Sequence, residues 1–531
     1  MFFVSRIFKL ILLVGFLVLS ARLIDVSIIR GSYFRKLADQ NRVREITIHA
    51  PRGEIFDRIG TPIAQNIEVK KLIVFERGKP VSFGDGSQVK DSQKEVLVST
   101  YRRNYPQGIV TAHILGLVSE TTREEVGKAG CPGSIFTLGD IVGRTGTEQF
   151  FDCILRGKNG EELVEVDSHG NKVRVLGQRK PKSGGNLYLT IDLGLQKAAT
   201  DALGDRLGAV VVTDVRNGGV LALVSSPAFD PNTLSANYQI VSTSPDKPLF
   251  NRAISGRYPP GSTFKIVTAA AGIEEGKIDE RTLFQDPGII KSGEFEYSNW
   301  YFTQYGKLEG EIDLIRAIAR STDTFFYKVG EWVGVVKLAE WSHKFGLGEK
   351  TGIDLVGETG GIIPTPSWKE RNRGERWFLG NTYHMSIGQG DVAASPLQIN
   401  TMTSVIASDG RLCRPTVLKN EDLRNDKCKE IGISEKTISL IKQGMVGACS
   451  TGGTAFPFFN FKVGERSIQV ACKTGTAQFN DPDDKTHAWL TAFAPADNPE
   501  IVVTALVEAG GEGSYVAAPV ARKVIEEWFG R

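Results

Sequence analysis

Two pairs of β-rich runs lie far apart in this chain of 531 residues. GAVVVTD (208–214) and VLALVSS (220–226) flank Arg216-Asn217-Gly218-Gly219, while residues 489–494 and 501–507 flank Ala496-Asp497-Asn498-Pro499. Asn-Gly between β-rich runs is a strong hairpin signal. Ahead of the first pair, residues 187–203 read as a strand followed by an amphipathic helix, and residues 519–529 have helical spacing with Pro in the first turn. Strands near both ends with helices between them predict an α+β domain, an antiparallel sheet covered by helices. The chain is too long for one core, so further domains are expected. We divide it into a terminal stub and anchor (1–25), a mixed α+β pedestal or dimerisation-type module (26–184) and the sheet domain (185–531).

The stretch richest in chemistry is Arg257-Tyr258-Pro259-Pro260-Gly261-Ser262-Thr263-Phe264-Lys265, which runs into IVTAAAGIEEG. The prolines and Gly261 end a loop and open an Ala-rich helix. Ser262 then sits at a helix N-terminus, where free N–H groups favour developing negative charge. Lys265 follows one turn on, on the same face, as a serine nucleophile with an adjacent amine base requires. S-x-x-K occurs four times, at Ser87, Ser244, Ser262 and Ser439. Ser87 and Ser244 fall in polar loops and Ser439 in a helix-like stretch without the Pro-Gly entry. A plain N-cap with a solvent-facing lysine explains Ser262 equally well on local sequence alone.

Ser321-Thr322-Asp323 precedes TFFYKVGEWVG and reads as the start of an apolar helix, where Ser and Asp are favoured as caps in any case. Lys473-Thr474-Gly475-Thr476 follows an alternating run, so a strand edge would present a lysine and two hydroxyls beside a cleft, with Gly475 allowing close backbone approach. A second K-T-G at Lys350 follows Gly346-Leu347-Gly348 and reads as a turn. No G-x-S-x-G, H-E-x-x-H or Walker A loop competes, and no metal site is expected.

The ordered set Ser262, Ser321, Lys473 is the signature of penicillin-binding proteins and class A β-lactamases. The chain resembles the class B penicillin-binding proteins, most closely their elongation type. The likeness extends to residues 52–58 (RGEIFDR), 189–192 (LTID), 385–390 (MSIGQG), Pro396-Leu397-Gln398 and His487-Ala488-Trp489. It implies a peptidoglycan D,D-transpeptidase, with Ser262 attacking the penultimate D-alanine carbonyl and a second stem's amine resolving the acyl-enzyme. It also implies Lys265 as base and Ser321 as proton relay. Lys473, Thr474 and Thr476 would hold the substrate carboxylate, and the N–H groups of Ser262 and Thr476 would form the oxyanion hole, each donor worth about 3 kcal/mol. Half-neutralising Lys265 at pH 7 needs a depression of about three pKa units, or roughly 4–5 kcal/mol. Asp323 stands where the superfamily usually has Asn. It cannot donate as Asn does, so it either orients Lys265 or accepts a substrate N–H. Cys472 replaces a small glycine and is expected to narrow the cleft slightly.

No cofactor is implied. The resemblance implies stem peptides as substrates, β-lactams as covalent inhibitors and a polytopic glycan polymerase as partner. A D,D-carboxypeptidase or β-lactamase-type hydrolase, and a non-catalytic sensor or scaffold, are the competing readings. Net charge is +3, from 64 basic against 61 acidic residues, which gives no case for nucleic acid. Residues 7–24 are apolar, with Lys9 and Arg22 able to snorkel, and read as one membrane span. The small-residue site at 19–21 is a poor cleavage signal. Flanking charge leaves orientation open, and the chemistry places the catalytic domain outside the inner membrane. Six scattered cysteines contain no C-x-x-C pair; free buried thiols are the default expectation, while a place outside the cytoplasm permits disulfides whose pairing the sequence does not assign.

Overall fold

The computed structural model describes residues 2–76, 79–85, 95–167, 172–419, 428–479 and 481–531, so Ser87 lies outside the described residues. The N-terminal helix, Phe2–Ile24, is apolar all round. Within the apolar stretch Phe3–Ile29 an 18-residue window has a mean hydropathy of 2.4, and none of that window is buried among the described residues. A helix of that length spans about 40 Å, more than the roughly 30 Å hydrocarbon core of a bilayer.

The pedestal contains a three-stranded antiparallel ribbon of Val43–Ile48, Gly160–Val166 and Lys172–Arg179. Its second sheet is built on the long strand Pro62–Glu76. Arg52 of the 52–58 segment meets Arg103, Glu148 and Asp152 here in one ion cluster. Arg52 Nε donates to Glu148 Oε2 at 2.6 Å, Arg103 Nε to Glu148 Oε1 at 2.6 Å, and Arg52 Nη1 to Asp152 Oδ1 at 2.8 Å. Burial opposes ionisation of Glu148, but the two guanidiniums outweigh it and hold its carboxyl below the ordinary range. Full pairing is what makes a charge at this depth tolerable. Strand Leu187–Tyr188 then pairs in parallel with Ile55–Phe56, joining the pedestal to the sheet domain.

In the sheet domain we label the elements that carry the site, in chain order. They are α1 (Leu193–Leu203), β1 (Gly208–Asp214), β2 (Val220–Ser226), α2 (Lys265–Glu274), α3 (Leu314–Arg320) and α4 (Asp323–Val333). Then come α5 (Pro396–Ala407), α6 (Glu435–Ala448), β3 (Ala471–Gln478), β4 (Thr486–Ala494), β5 (Ile501–Val507) and α7 (Ala517–Phe529). The sheet order is β2-β1-β5-β4-β3, antiparallel throughout. Both expected hairpins are present, Val211 facing Leu223 and Leu490 facing Ala505.

The strands are buried on both faces except at the end of β3, where Thr476 and Gln478 are exposed. Leu195, Ala199 and Leu203 of α1 and Val520, Val524 of α7 pack with Val210, Val212 and Leu490 in one apolar layer. On the other face α5 is buried along its whole length. It starts from a capping box between Ser395 and Gln398, with Pro396 in the first turn. Its Asn400 and Thr403 side chains bond to the sheet instead of facing water. Asn400 Nδ2 donates to Val211 O (3.0 Å) and Val502 O (3.1 Å), and Thr403 Oγ1 shares a 2.7 Å hydrogen bond with Thr491 Oγ1. Strand β3 forms one edge of the sheet, next to the turn that carries Ser262.

The expectation of free thiols is corrected, since all six cysteines pair: Cys131–Cys153, Cys413–Cys428 and Cys449–Cys472.

Candidate active site

Ser262 sits in a single 3-10 turn, Gly261–Phe264, and regular helix begins at Lys265. The turn is held from several sides. Gly261 has a left-handed backbone (φ +55), and a Cβ there would meet Thr476 O at 3.0 Å. Its N–H donates to Gly388 O at 2.9 Å. A Cβ on Gly388 (φ +72) would lie 2.3 Å from Gly261 O, so each glycine is needed for the close backbone approach. Trp489 Nε1 donates to Pro259 O at 3.0 Å, and Tyr258 N to Ala394 O at 3.0 Å. The segments 385–390 and 487–489 therefore serve as the clamp around the Ser262 turn. Gly475 is used by the protein in the same way, since a Cβ there would lie 3.1 Å from Pro260 O. Ser262 itself is half-buried, and among the described residues its Oγ has no hydrogen-bond partner.

Ser321 does not begin a helix. It ends α3 in a left-handed conformation (φ +57), and Thr322 separates it from α4, which begins at Asp323. This kink aims the Ser321 hydroxyl between two buried lysines. Lys265 Nζ lies 3.2 Å and Lys473 Nζ 2.8 Å from Ser321 Oγ. Lys265 Nζ also donates to Ser321 O at 2.8 Å and to Asp323 Oδ1 at 2.6 Å, and Lys473 Nζ donates to Thr474 O at 3.1 Å. The structure brings Lys265, Ser321, Asp323 and Lys473 together. It does not join Ser262 to Lys265 by a hydrogen bond, because the tetrahedral positions of that amine are taken by Ser321 O, Ser321 Oγ and Asp323.

Burial lowers the Lys265 amine from its ordinary value, while the Asp323 carboxylate pulls the other way. Lys473 is displaced further, well below the usual lysine range, by burial and then by the neighbouring Lys265 charge. Among the described residues no carboxylate pairs directly with Lys473. The Asp323 carboxylate favours the charged form of Lys265, against the burial that opposes it.

Thr474 Oγ1 is 2.8 Å from Thr454 Oγ1, and Thr476 is exposed, with Gly513 N donating to its Oγ1 at 3.4 Å. Cys472 does not narrow the cleft. It points to the opposite face of β3 from Lys473, packs with the α1 and α7 layer, and is bonded to Cys449 at the end of α6. The second K-T-G is a closed turn in which Thr351 N and Gly352 N donate to Glu358 at 2.6 and 3.0 Å.

Sequence reasoning missed Asn299, Trp300 and Asp286. Trp300 N donates to Asp323 Oδ2 at 3.2 Å, Asp323 N donates to Asn299 Oδ1 at 3.2 Å, and Asn299 Nδ2 donates to Asp286 Oδ2 at 3.1 Å. No spacing pattern ties these residues to S-x-D, since they come from a separate loop.

A helix-covered antiparallel sheet, with a serine turn beside its edge strand and two buried lysines on one further hydroxyl, defines a serine acyl-transferase of the penicillin-recognising class. The chain belongs to the penicillin-binding protein family: residues 208–526 match the penicillin binding protein transpeptidase domain and residues 96–189 the penicillin-binding protein dimerisation domain. It is 31% identical to the peptidoglycan D,D-transpeptidase MrdA of Acinetobacter baumannii, over 98% of this chain and 86% of that one. It is also similar to Helicobacter pylori PBP2, solved in complex with MreC (TM-score 0.79, 27% identity, 92% of this chain and 99% of that one). A third likeness is to a chain of a peptidoglycan synthase complex, solved to describe how polymerization and crosslinking are coordinated (TM-score 0.76, 28% identity, 99% and 98% of the two chains).

Proposed function

We propose that this protein cross-links peptidoglycan stem peptides by serine acyl transfer during cell-wall elongation. The observation that carries the reading is the Ser321 hydroxyl held between Lys265 and Lys473, beside the clamped Ser262 turn. Ser262 Oγ attacks the penultimate D-alanine carbonyl and its proton passes to the Lys265–Ser321–Lys473 group. Backbone N–H groups of Ser262 and Thr476 receive the oxyanion. The C–N bond then breaks, Ser321 returns the proton to the leaving D-alanine amine, and an ester remains on Ser262. The amine of a second stem attacks that ester, gives up a proton along the same route and releases Ser262.

Lys473, Thr474 and Thr476 hold the substrate's terminal carboxylate. Gly475 keeps β3 flat against the serine turn, and Asp323 holds Lys265. The apolar helix at 3–29 anchors the chain in the inner membrane, with residues 26–184 as pedestal and 185–531 as the catalytic domain on the outer side. Three disulfides support an oxidising compartment. Likeness to a PBP2 bound to MreC, and to a synthase complex, supports a place in an elongation assembly. There the anchor and pedestal meet a polytopic glycan polymerase.

The test is labelled β-lactam acylation of the wild type beside Ser262→Ala, with cross-linked product measured on stem-peptide substrate. A covalent adduct that Ser262→Ala abolishes, together with cross-linked dimer, is expected. Equal labelling of both proteins would remove the nucleophile. Release of D-alanine without dimer would make the protein a hydrolase.

A further inference from the structure

Resting on the reading above, we propose that Asn299 is a positioning residue for acylation: through the backbone N–H of Asp323 it fixes the carboxylate that holds Lys265. The first turn of a helix carries orphan N–H groups, and the residue before it ordinarily caps one with its own side chain. Thr322 precedes α4 but makes no such bond, and its hydroxyl is buried without a partner. The cap comes instead from another element. Asn299 is fully buried, and its Oδ1 accepts the Asp323 N–H at 3.2 Å.

Asn299 is itself wired in place. Its Nδ2 donates to Asp286 Oδ2 at 3.1 Å, and its N–H donates to Gly288 O at 2.7 Å. The buried Asp286 also accepts from Gly288 N (2.9 Å), Glu309 N (3.0 Å) and Thr324 Oγ1 (2.7 Å). The next residue completes the grip: Trp300 N donates to Asp323 Oδ2 at 3.2 Å, and Trp300 Nε1 to Arg320 O at 2.9 Å. Residues 286–309 therefore hold the S-x-D kink on both sides, at Arg320 before it and at Asp323 and Thr324 after it. The groups facing the Lys265 amine are Asp323, the Ser321 hydroxyl, Lys473 across that hydroxyl and the Phe326 ring at 5.4 Å. Tyr327 lies one turn along α4 from Asp323, and Asp286 stands behind Asn299.

The experiment measures β-lactam acylation rate against pH for wild type, Asn299→Ala, Asp323→Asn and the double variant, with Ser262→Ala as control and active fraction counted by label. Asn299→Ala loosens Asp323. The plateau rate is expected to fall about 10- to 100-fold, the range that a small misplacement of reacting groups produces. The rising limb is expected to move to lower pH, because Lys265 loses part of its carboxylate partner. In the Asp323→Asn background the same substitution should move the limb no further, since the two act through one contact. An unmoved limb, or a wild-type rate, would overturn the proposal, and so would an additive shift in the double variant. If Asn299→Ala yields no folded protein, Asn299→Ser carries the test: it keeps a polar group for Asp286 but draws the acceptor back from the Asp323 N–H, so an acid shift of the limb supports the role and an unmoved limb defeats it. Equal labelling of Ser262→Ala would instead defeat the nucleophile assignment, which separates the two failures.

Discussion

A serine with a left-handed backbone gives up roughly 1–2 kcal/mol that glycine would not, and Ser321 bears that strain at the centre of the site (φ +57). The strain is matched by function, because the kink places one hydroxyl on two amines. Ser321→Gly should therefore unfold at the same temperature as wild type or higher, while β-lactam acylation falls at least about 100-fold, the scale of losing a group that acts in the transition state. Thermal unfolding beside labelled acylation checks both halves. Lys473 makes a second case. Its folded value lies well below 10.5, so between that value and 10.5 the native state binds fewer protons than the unfolded chain. Stability contributed by this group thus rises with pH across the window. Lys473→Met should be more stable than wild type at pH 7 in urea unfolding, with the gap narrowing toward pH 10, and should lose acylation. Ser262, Lys265 and Lys473 were legible as candidates because local pattern marks a helix entry and a strand edge. The pairing of Asp323 with Lys265 was one of two open readings, since a carboxylate's chemistry can be read from sequence but its neighbour cannot. Asn299 was illegible: in E-F-E-Y-S-N-W nothing distinguishes a remote helix cap from a loop amide.

At the scale of elements, the Ser262 turn is held by packing between backbones, and glycine is what permits it. Gly388→Ala should destabilise the domain by about 1–3 kcal/mol, because its Cβ would meet Gly261 O at 2.3 Å. Guanidinium unfolding and the acylation rate should both respond, whereas alanine at the uncrowded Gly177, in the pedestal ribbon, should leave acylation unchanged. Both hairpins and α7 were readable in advance, since β-rich runs about a turn and 3.6-residue spacing are local codes. The apolar helix that begins at Asp323 was readable in advance, but nothing in the triplet reveals that Ser321 closes the preceding helix with a left-handed backbone. Disulfide pairing was also hidden, since partners 15 to 23 residues apart are set by how strands and helices meet.

At the scale of the whole molecule, the catalytic domain is built on two apolar layers around one sheet, and the pedestal adds a buried ion cluster to an apolar core it shares with that domain. The cluster centres on Glu148, fully enclosed between Arg52 and Arg103. Glu148→Gln leaves two buried guanidiniums short of a counter-charge, and breaking such a pair costs about 3–5 kcal/mol. Limited proteolysis should then cut within residues 43–179 sooner, while the catalytic domain keeps its β-lactam label. Cys449–Cys472 has a different reach. One of its sulfurs belongs to the residue just before Lys473, so the strand that carries this lysine is stitched to α6 by a bond of the kind that persists in oxidising compartments. On the proposed outer-side placement, closing this bond would fall to the enzymes that oxidise newly exported chains. A cell deprived of that thiol chemistry would leave fresh copies with β3 and α6 unlinked.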